Sequence, residues 1–150
     1  MISTKSRLKE IISCNEPLLL DGAMGTELYN RGIFLNRCFE DANLSNSELI
    51  RSLHQDYLDA GAQALPTNSW GANSFKLSKH NLADKVFLIN KRAAEIARSV
   101  AGEESFVFGA VGPLGVRIEP WGPTSFAEAK NAYLEQIRGL LHGEVDAIVL

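Results

Sequence analysis

Leu18-Leu19-Leu20-Asp21-Gly22-Ala23-Met24-Gly25-Thr26 is an apolar run that stops on a carboxylate and then on two glycines. An unbroken aliphatic run of strand length reads as a strand buried on both faces, as in a parallel sheet. Its last residues then deliver an acid and a flexible, amide-rich turn to one edge of that sheet.

The same grammar recurs downstream. Asn46 is placed to cap a helix whose apolar stripe is Leu49, Ile50, Leu53, Tyr57 and Leu58, with Gly61 as its stop. A strand over 62–67 follows, then the polar loop Asn68-Ser69-Trp70-Gly71-Ala72-Asn73. A helix over 84–101, with Val86, Ile89, Ala93, Ile96, Ala97 and Val100 inward, leads past Gly102 to a strand over 105–111 and the turn Gly112-Pro113-Leu114-Gly115. Pro120, Trp121, Gly122 and Pro123 demand a second long loop besides the irregular stretch 33–45. Ser125 and Glu128 form a capping box for a helix carrying Phe126, Ala129, Tyr133, Ile137, Leu140 and Leu141, and Ala147-Ile148-Val149-Leu150 begins a fourth strand. A short opening helix, capped by Ser3 and ending near Ser13, precedes the first strand.

Strand and helix units spaced about 40 residues apart require parallel strands with helical crossovers, so the class is α/β. Two architectures satisfy this: an open doubly wound sheet, or part of an eight-fold barrel of roughly 250 residues with its site at the strand C-terminal ends. The domain reading is a lead-in over 1–16 and a barrel portion over 17–150.

Composition removes several functions. The 150 residues are 45% hydrophobic and 22% charged, with a net charge of −3 and no basic block. Nucleic acid and anionic membrane surfaces are therefore not expected partners. No apolar run approaches the roughly 18 residues of a membrane span, and the expected compartment is the cytoplasm. The two cysteines, Cys14 and Cys38, and the histidines His54, His80 and His142 have no metal-ligand spacing.

Chemistry should therefore gather where the strands end. Asp21 suits an ammonium group, and the amides around Ala23 to Thr26 suit a carboxylate or phosphate. Thr67 and Asn68 would add neutral donors and acceptors, a combination that fits an amino acid zwitterion. The structural alternative is that Asp21 and Thr26 cap a turn, and that the glycines serve backbone angles only. Gly22-x-x-Gly25 lacks the rest of a phosphate-loop signature, which weakens a nucleotide reading. Trp70 and Trp121 read as hydrophobic plugs before lids, Cys38 as a loop or buried thiol, His54 as packing, and Glu40-Asp41 as solvated surface.

Four stretches together resemble the homocysteine S-methyltransferase family: 20–28, Asn36-Arg37-Cys38-Phe39-Glu40 with Asn43-Leu44-Ser45, Thr67 through Asn73, and Gly109 through Gly115. The second is most similar to the methyltransferase domain of bifunctional homocysteine S-methyltransferase/methylenetetrahydrofolate reductases and of cobalamin-dependent methionine synthases. The resemblance implies the first half of a (β/α)8 barrel, broken off in strand four. It also implies homocysteine and a methyl donor as substrates, and a zinc ion on three cysteine thiolates that activates the homocysteine sulfur. Asp21, Gly22, Ala23, Met24 and Thr26, with Thr67 and Asn68, match the substrate-binding motifs. No catalytic residue or zinc ligand matches a position in this sequence.

By that resemblance the zinc cysteines, and the Glu-Thr of the fourth strand, belong to positions beyond Leu150. The 150 residues alone are thus expected to be inactive, and to pair with a second barrel half or self-associate through free strand edges. A non-catalytic half-barrel binding protein is the alternative function, with an open-sheet nucleotide binder behind it. Pro66 interrupts the donor pattern of the second strand.

Overall fold

The computed structural model describes residues 4–14, 17–34 and 36–150. Ser3, the expected cap of the opening helix, lies outside them. Helices α1 (Thr4–Ser13), α2 (Met24–Asn30), α3 (Ala42–Ser45) and α4 (Ser47–Asp59) precede strand β1 (Ala64–Pro66). Then come α5 (Ser74–Leu77), α6 (Val86–Ala101), β2 (Phe106–Ala110), α7 (Phe126–His142) and β3 (Ala147–Val149).

The sheet is parallel throughout, in the order β1-β2-β3, and Leu20 bridges Ala64 on the remaining side of β1. Spatial order therefore follows chain order without reversal. A doubly wound sheet reverses at a switch point, whereas a barrel winds in one direction, so this is an arc of a (β/α)8 barrel. The crossover helices α6 and α7 pack side by side, with α4 against α6, on one face of the sheet.

Alternation along the strands sorts the core into two faces. Leu65 and Val107 meet Ala94, Ala97, Ala101 and Leu140 of the crossover helices. Ala64, Phe106 and Phe108 face the other way, where Leu8 of α1 joins them with Ile11, Leu18 and Val149 packed alongside. The opening helix thus covers the concave face of the arc. Gly139 and Gly143 let α7 approach α6 closely: a Cβ on Gly139 would lie 2.6 Å from the Phe87 carbonyl oxygen, and one on Gly143 2.4 Å from Ala94 Cβ. Arg98 of α6 ties down β3 by pairing with Asp146 at 2.6 Å, while the same carboxylate accepts from Val107 N–H at 2.8 Å.

The first apolar run departs from expectation. Leu19 and Leu20 are 57% and 41% exposed, and the run makes a single bridge instead of a strand buried on both faces. Pro66 supplies a reason. In β1 the peptide groups of Ala64 point toward the lead segment, accepting from Asp21 N–H and donating to Leu19 O, while Thr67 N–H points to Phe108 O. Pro66 shares the phase of Ala64, so its missing N–H leaves the ladder to β2 intact and ends pairing with the lead segment after Asp21.

Gly61 and Gly102 end their helices at φ +101° and +56°, as expected of stop residues. The capping box of Ser125 and Glu128 is formed in full. Asn46, however, caps α4 without a side-chain hydrogen bond. Trp121 is 84% exposed and Trp70 51%, so neither is the buried plug expected of it. No helix among the described residues is long and apolar enough to cross a membrane.

Candidate functional site

A hollow of about 360 Å³ opens where the lead segment and β1 end, lined by Met24, Gly25, Phe39, Glu40, Thr67, Asn68, Ser69 and Trp70. Parallel topology puts these loops on one edge. Of the residues singled out in the sequence, Met24, Thr67 and Asn68 line the hollow. Asp21, Gly22, Ala23 and Thr26 do not. A second hollow of about 480 Å³, on the other side of Trp70, is lined by Val111, Gly112, Pro113, Tyr133, Ile137 and Leu150 and offers no carboxylate, amine or imidazole.

Loop 67–73 owes its shape to side chains that reach it from elsewhere. Asn43 of α3 donates to the Asn68 carbonyl at 2.8 Å, Gln136 of α7 to that of Ser69 at 2.7 Å, and Asn90 of α6 to that of Ala72 at 2.8 Å. All three carboxamides are completely buried. From the other side Gly71 N–H donates to Glu40 Oε1 at 2.6 Å. A Cβ at residue 71 would stand 2.4 Å from that oxygen, so any larger residue there would push the Glu40 carboxylate aside.

Thr67 is committed inward. Its Oγ1 accepts from Ala110 N–H at 3.0 Å and lies 2.5 Å from Ser69 Oγ, which donates to the Ala110 carbonyl at 2.7 Å. Because the serine proton goes to Ala110, the threonine proton goes to Ser69. The pair closes the end of β1 onto the end of β2. Asn68 spends its Nδ2 on Phe39 O at 2.8 Å and Asn43 Oδ1 at 3.2 Å. Its Oδ1 accepts no hydrogen bond from the described residues.

Asp21 ends the pairing of the lead segment with β1, and its Oδ2 is buried and unpartnered among the described residues. Burial pushes its carboxyl up to about 7. Tyr57 is its neighbour: burial first, then the Asp21 charge, raise the phenol. Gly22 is fitted beneath that ring, since a Cβ there would lie 3.0 Å from Tyr57 Cε1. At the N-terminus of α2, Ala23 has no side-chain group to spend on the first-turn amides.

Glu40 corrects the sequence reading of a solvated surface pair. It is half-buried, lines the hollow, and besides Gly71 holds the Cys38 thiol, which donates to Oε2 at 3.3 Å. Burial, reinforced by the Glu40 charge, pushes the Cys38 thiol up to about 12. In this setting the thiol is held in its protonated form. Cys14 is exposed just past α1, and among the described residues no three His, Cys, Asp or Glu side chains gather as a metal would need. The residues present therefore do not fit zinc. His54 is fully buried, as its place beside the apolar stripe suggested, but both ring nitrogens lack partners among the described residues.

Glu40, Asn43, Ser69, Asn90 and Gln136 were not chosen from sequence. Glu40, Asn43 and Ser69 lie in the stretches that carry the family resemblance, and the helix pattern held a signal for the other two. Asn90 and Gln136 are amides at apolar-phase positions of their helices, four residues after Val86 and four before Leu140. A polar group in such a position must find a buried partner.

A one-directionally wound α/β arc with its hollow at the strand C-terminal ends has the site placement of a (β/α)8 barrel. The homocysteine S-methyltransferase family profile matches residues 18–150, and the chain belongs to that family. It is 33% identical over 142 residues to methionine synthase of Mycobacterium tuberculosis, covering 87% of this chain and 12% of that one. It is 30% identical over 129 residues to homocysteine S-methyltransferase 2 of Saccharomyces cerevisiae, covering 74% of this chain and 39% of that one. The oxidized form of the homocysteine methyltransferase MmuM from Escherichia coli superposes with a TM-score of 0.79 at 27% identity, over 94% of this chain and 55% of that one. The metallated form of MmuM gives 0.77 at 29% identity. This chain thus spans from about an eighth to about half of the length of these relatives.

Proposed function

We propose that this chain supplies the amino-acid-binding part of a homocysteine S-methyltransferase, in which a methyl donor alkylates the homocysteine sulfur. The observation that carries the reading is the convergence of Met24, Thr67 and Asn68 on one hollow at the strand ends of a family member. Thr67 fixes the loop through Ala110 and Ser69, and Asn68 presents an amide oxygen that accepts from none of the described residues. Asp21, Gly22, Ala23 and Thr26 complete the rim in this proposal, Asp21 as an acid close to its ionisation point. The metallated relative supports a metal in the complete family site, and zinc is the metal proposed for it, with thiolate ligands outside the 150 residues. The expected compartment is the cytoplasm, and the methyl donor is left open.

Titration calorimetry tests the binding step directly. L-Homocysteine should bind saturably to the 150-residue chain and ATP should not. Binding of ATP without homocysteine would replace this reading with the nucleotide one.

A second reading concerns assembly. The outer side of the lead segment pairs with no strand among the described residues, and Leu19 is exposed there. Such edges favour pairing with another barrel half or another copy. Sedimentation of the chain across a concentration series would show association, and a single monomeric species throughout would remove this reading.

A further inference from the structure

We infer that one internal water molecule is bound beneath loop 67–73, held jointly by the side chains of Asn73, Asn90 and Gln136. All three residues are completely buried. Each carries one polar atom without a hydrogen-bond partner among the described residues: Asn73 Nδ2, Asn90 Oδ1 and Gln136 Oε1. Buried polar groups are almost always paired, by protein or by ordered water, so three such atoms around one loop call for a shared partner.

The other end of each amide fixes which atom is left over. Asn90 Nδ2 donates to Ala72 O at 2.8 Å and to Val86 O at 2.7 Å, and Gln136 Nε2 donates to Ser69 O at 2.7 Å. Turning either amide over would set its oxygen against a carbonyl oxygen. Asn73 Oδ1 accepts from Lys76 N–H at 3.0 Å as the cap of α5, which leaves Nδ2 over. The set is therefore one donor and two acceptors.

The backbone brings the three amides to one place. Ala72 N–H donates to Ser69 O at 3.0 Å, so the carbonyls held by Gln136 and Asn90 belong to a single turn, and Asn73 is the next residue. On the helix side, Gly139 follows Gln136 by about one turn. It lies so close to α6 that a Cβ there would stand 2.8 Å from Asn90 Cβ. Asn90 and Gln136 thus reach the loop from neighbouring turns of the seam between α6 and α7.

The donor count selects the ligand. A water accepts from Asn73 and donates its two protons to Asn90 and Gln136, which gives it the usual complement of about three hydrogen bonds. A sodium or potassium ion suits the two oxygens but meets the Asn73 N–H with like charge. An ammonium ion only donates and leaves Asn73 unpaired, and an anion is repelled by both oxygens. The water ties the cap of α5 to both crossover helices, and so stiffens the wall that carries Ser69 and Trp70.

A crystal structure of the 150-residue chain, at a resolution that places waters, tests the site. One density peak should lie about 2.7–3.2 Å from all three atoms. No peak, or separate peaks that each touch one of the three, overturns the inference. In solution the Asn73 side-chain amide protons should show water cross-peaks of opposite sign in NOE and ROE spectra, the mark of a water held in the interior. Cross-peaks of equal sign, or none, overturn it. Thermal unfolding in potassium, ammonium and choline chloride at equal ionic strength separates water from a cation. The three midpoints should coincide, and a higher midpoint in potassium or in ammonium would assign the site to that ion instead.

Discussion

Asn43 and Asn68 hold each other by their amides: Asn43 Nδ2 donates to the Asn68 carbonyl at 2.8 Å, and Asn68 Nδ2 donates back to Asn43 Oδ1 at 3.2 Å. Both side chains are buried, 0% and 6% exposed. The exchange ties the short helix α3 to the loop that lines the hollow.

Asn43→Ala should therefore cost more than a typical surface change. It strips a donor from a buried carbonyl and an acceptor from a buried amide, a loss of about 1–3 kcal/mol. Urea denaturation should show the lowered midpoint with an unchanged slope. An unaltered midpoint would mean that water replaces Asn43 without penalty.

Thr67 separates hydroxyl from shape. Thr67→Val leaves Ala110 N–H and Ser69 Oγ short of a partner and should destabilise by roughly 1–2 kcal/mol, whereas Thr67→Ser should recover most of that. Thermal unfolding of the two variants side by side decides it. A loss in Thr67→Ser with none in Thr67→Val would instead assign the effect to the methyl group.

Gly112 is fixed by contact with Trp70. A Cβ there would lie 2.5 Å from the Trp70 carbonyl oxygen and 2.6 Å from its ring, and Gly112 N–H donates to that same carbonyl at 3.0 Å. The backbone oxygen cannot swing aside. Gly112→Ala should lose about 1–3 kcal/mol through overpacking and change Trp70 fluorescence. Unchanged emission and stability would show that the two loops separate freely.

Asp21 and His54 should pull the pH dependence of stability in opposite directions. Asp21 rises to about 7 in the fold from 3.8, so between those values the folded state holds a proton that the unfolded state has lost, and stability falls as pH rises. His54 drops to about 4 from 6.5, so between those values the unfolded state binds the extra proton, and stability rises with pH. The two slopes oppose each other from about pH 4 to 6.5. Asp21→Asn should unmask a rising profile across that window, and His54→Leu a falling one, in denaturation series at stepped pH. Two variants with the same slope would contradict the assignment.

The α/β class, the helix stops at Gly61 and Gly102, the capping box at Ser125 and the edge on which the hollow lies all follow from local chemistry. Glycine conformation, apolar period and cap geometry act within a few residues, so the sequence displays them directly. The family motifs pointed to Asp21, Gly22, Ala23, Met24, Thr26, Thr67 and Asn68, of which Met24, Thr67 and Asn68 line the hollow. Tertiary structure decided the rest. Periodicity alone left barrel and open sheet both standing; the family motifs implied the barrel and the neighbour order of the strands bears it out, while the shortening of the lead strand depends on which partner Pro66 faces. The burial of Glu40 against Gly71, and the reach of Asn43, Asn90 and Gln136 to one loop, join residues far apart in the chain. A side chain's charge and hydrogen-bonding groups are written in the sequence, but the partner that occupies them is fixed only when distant segments pack.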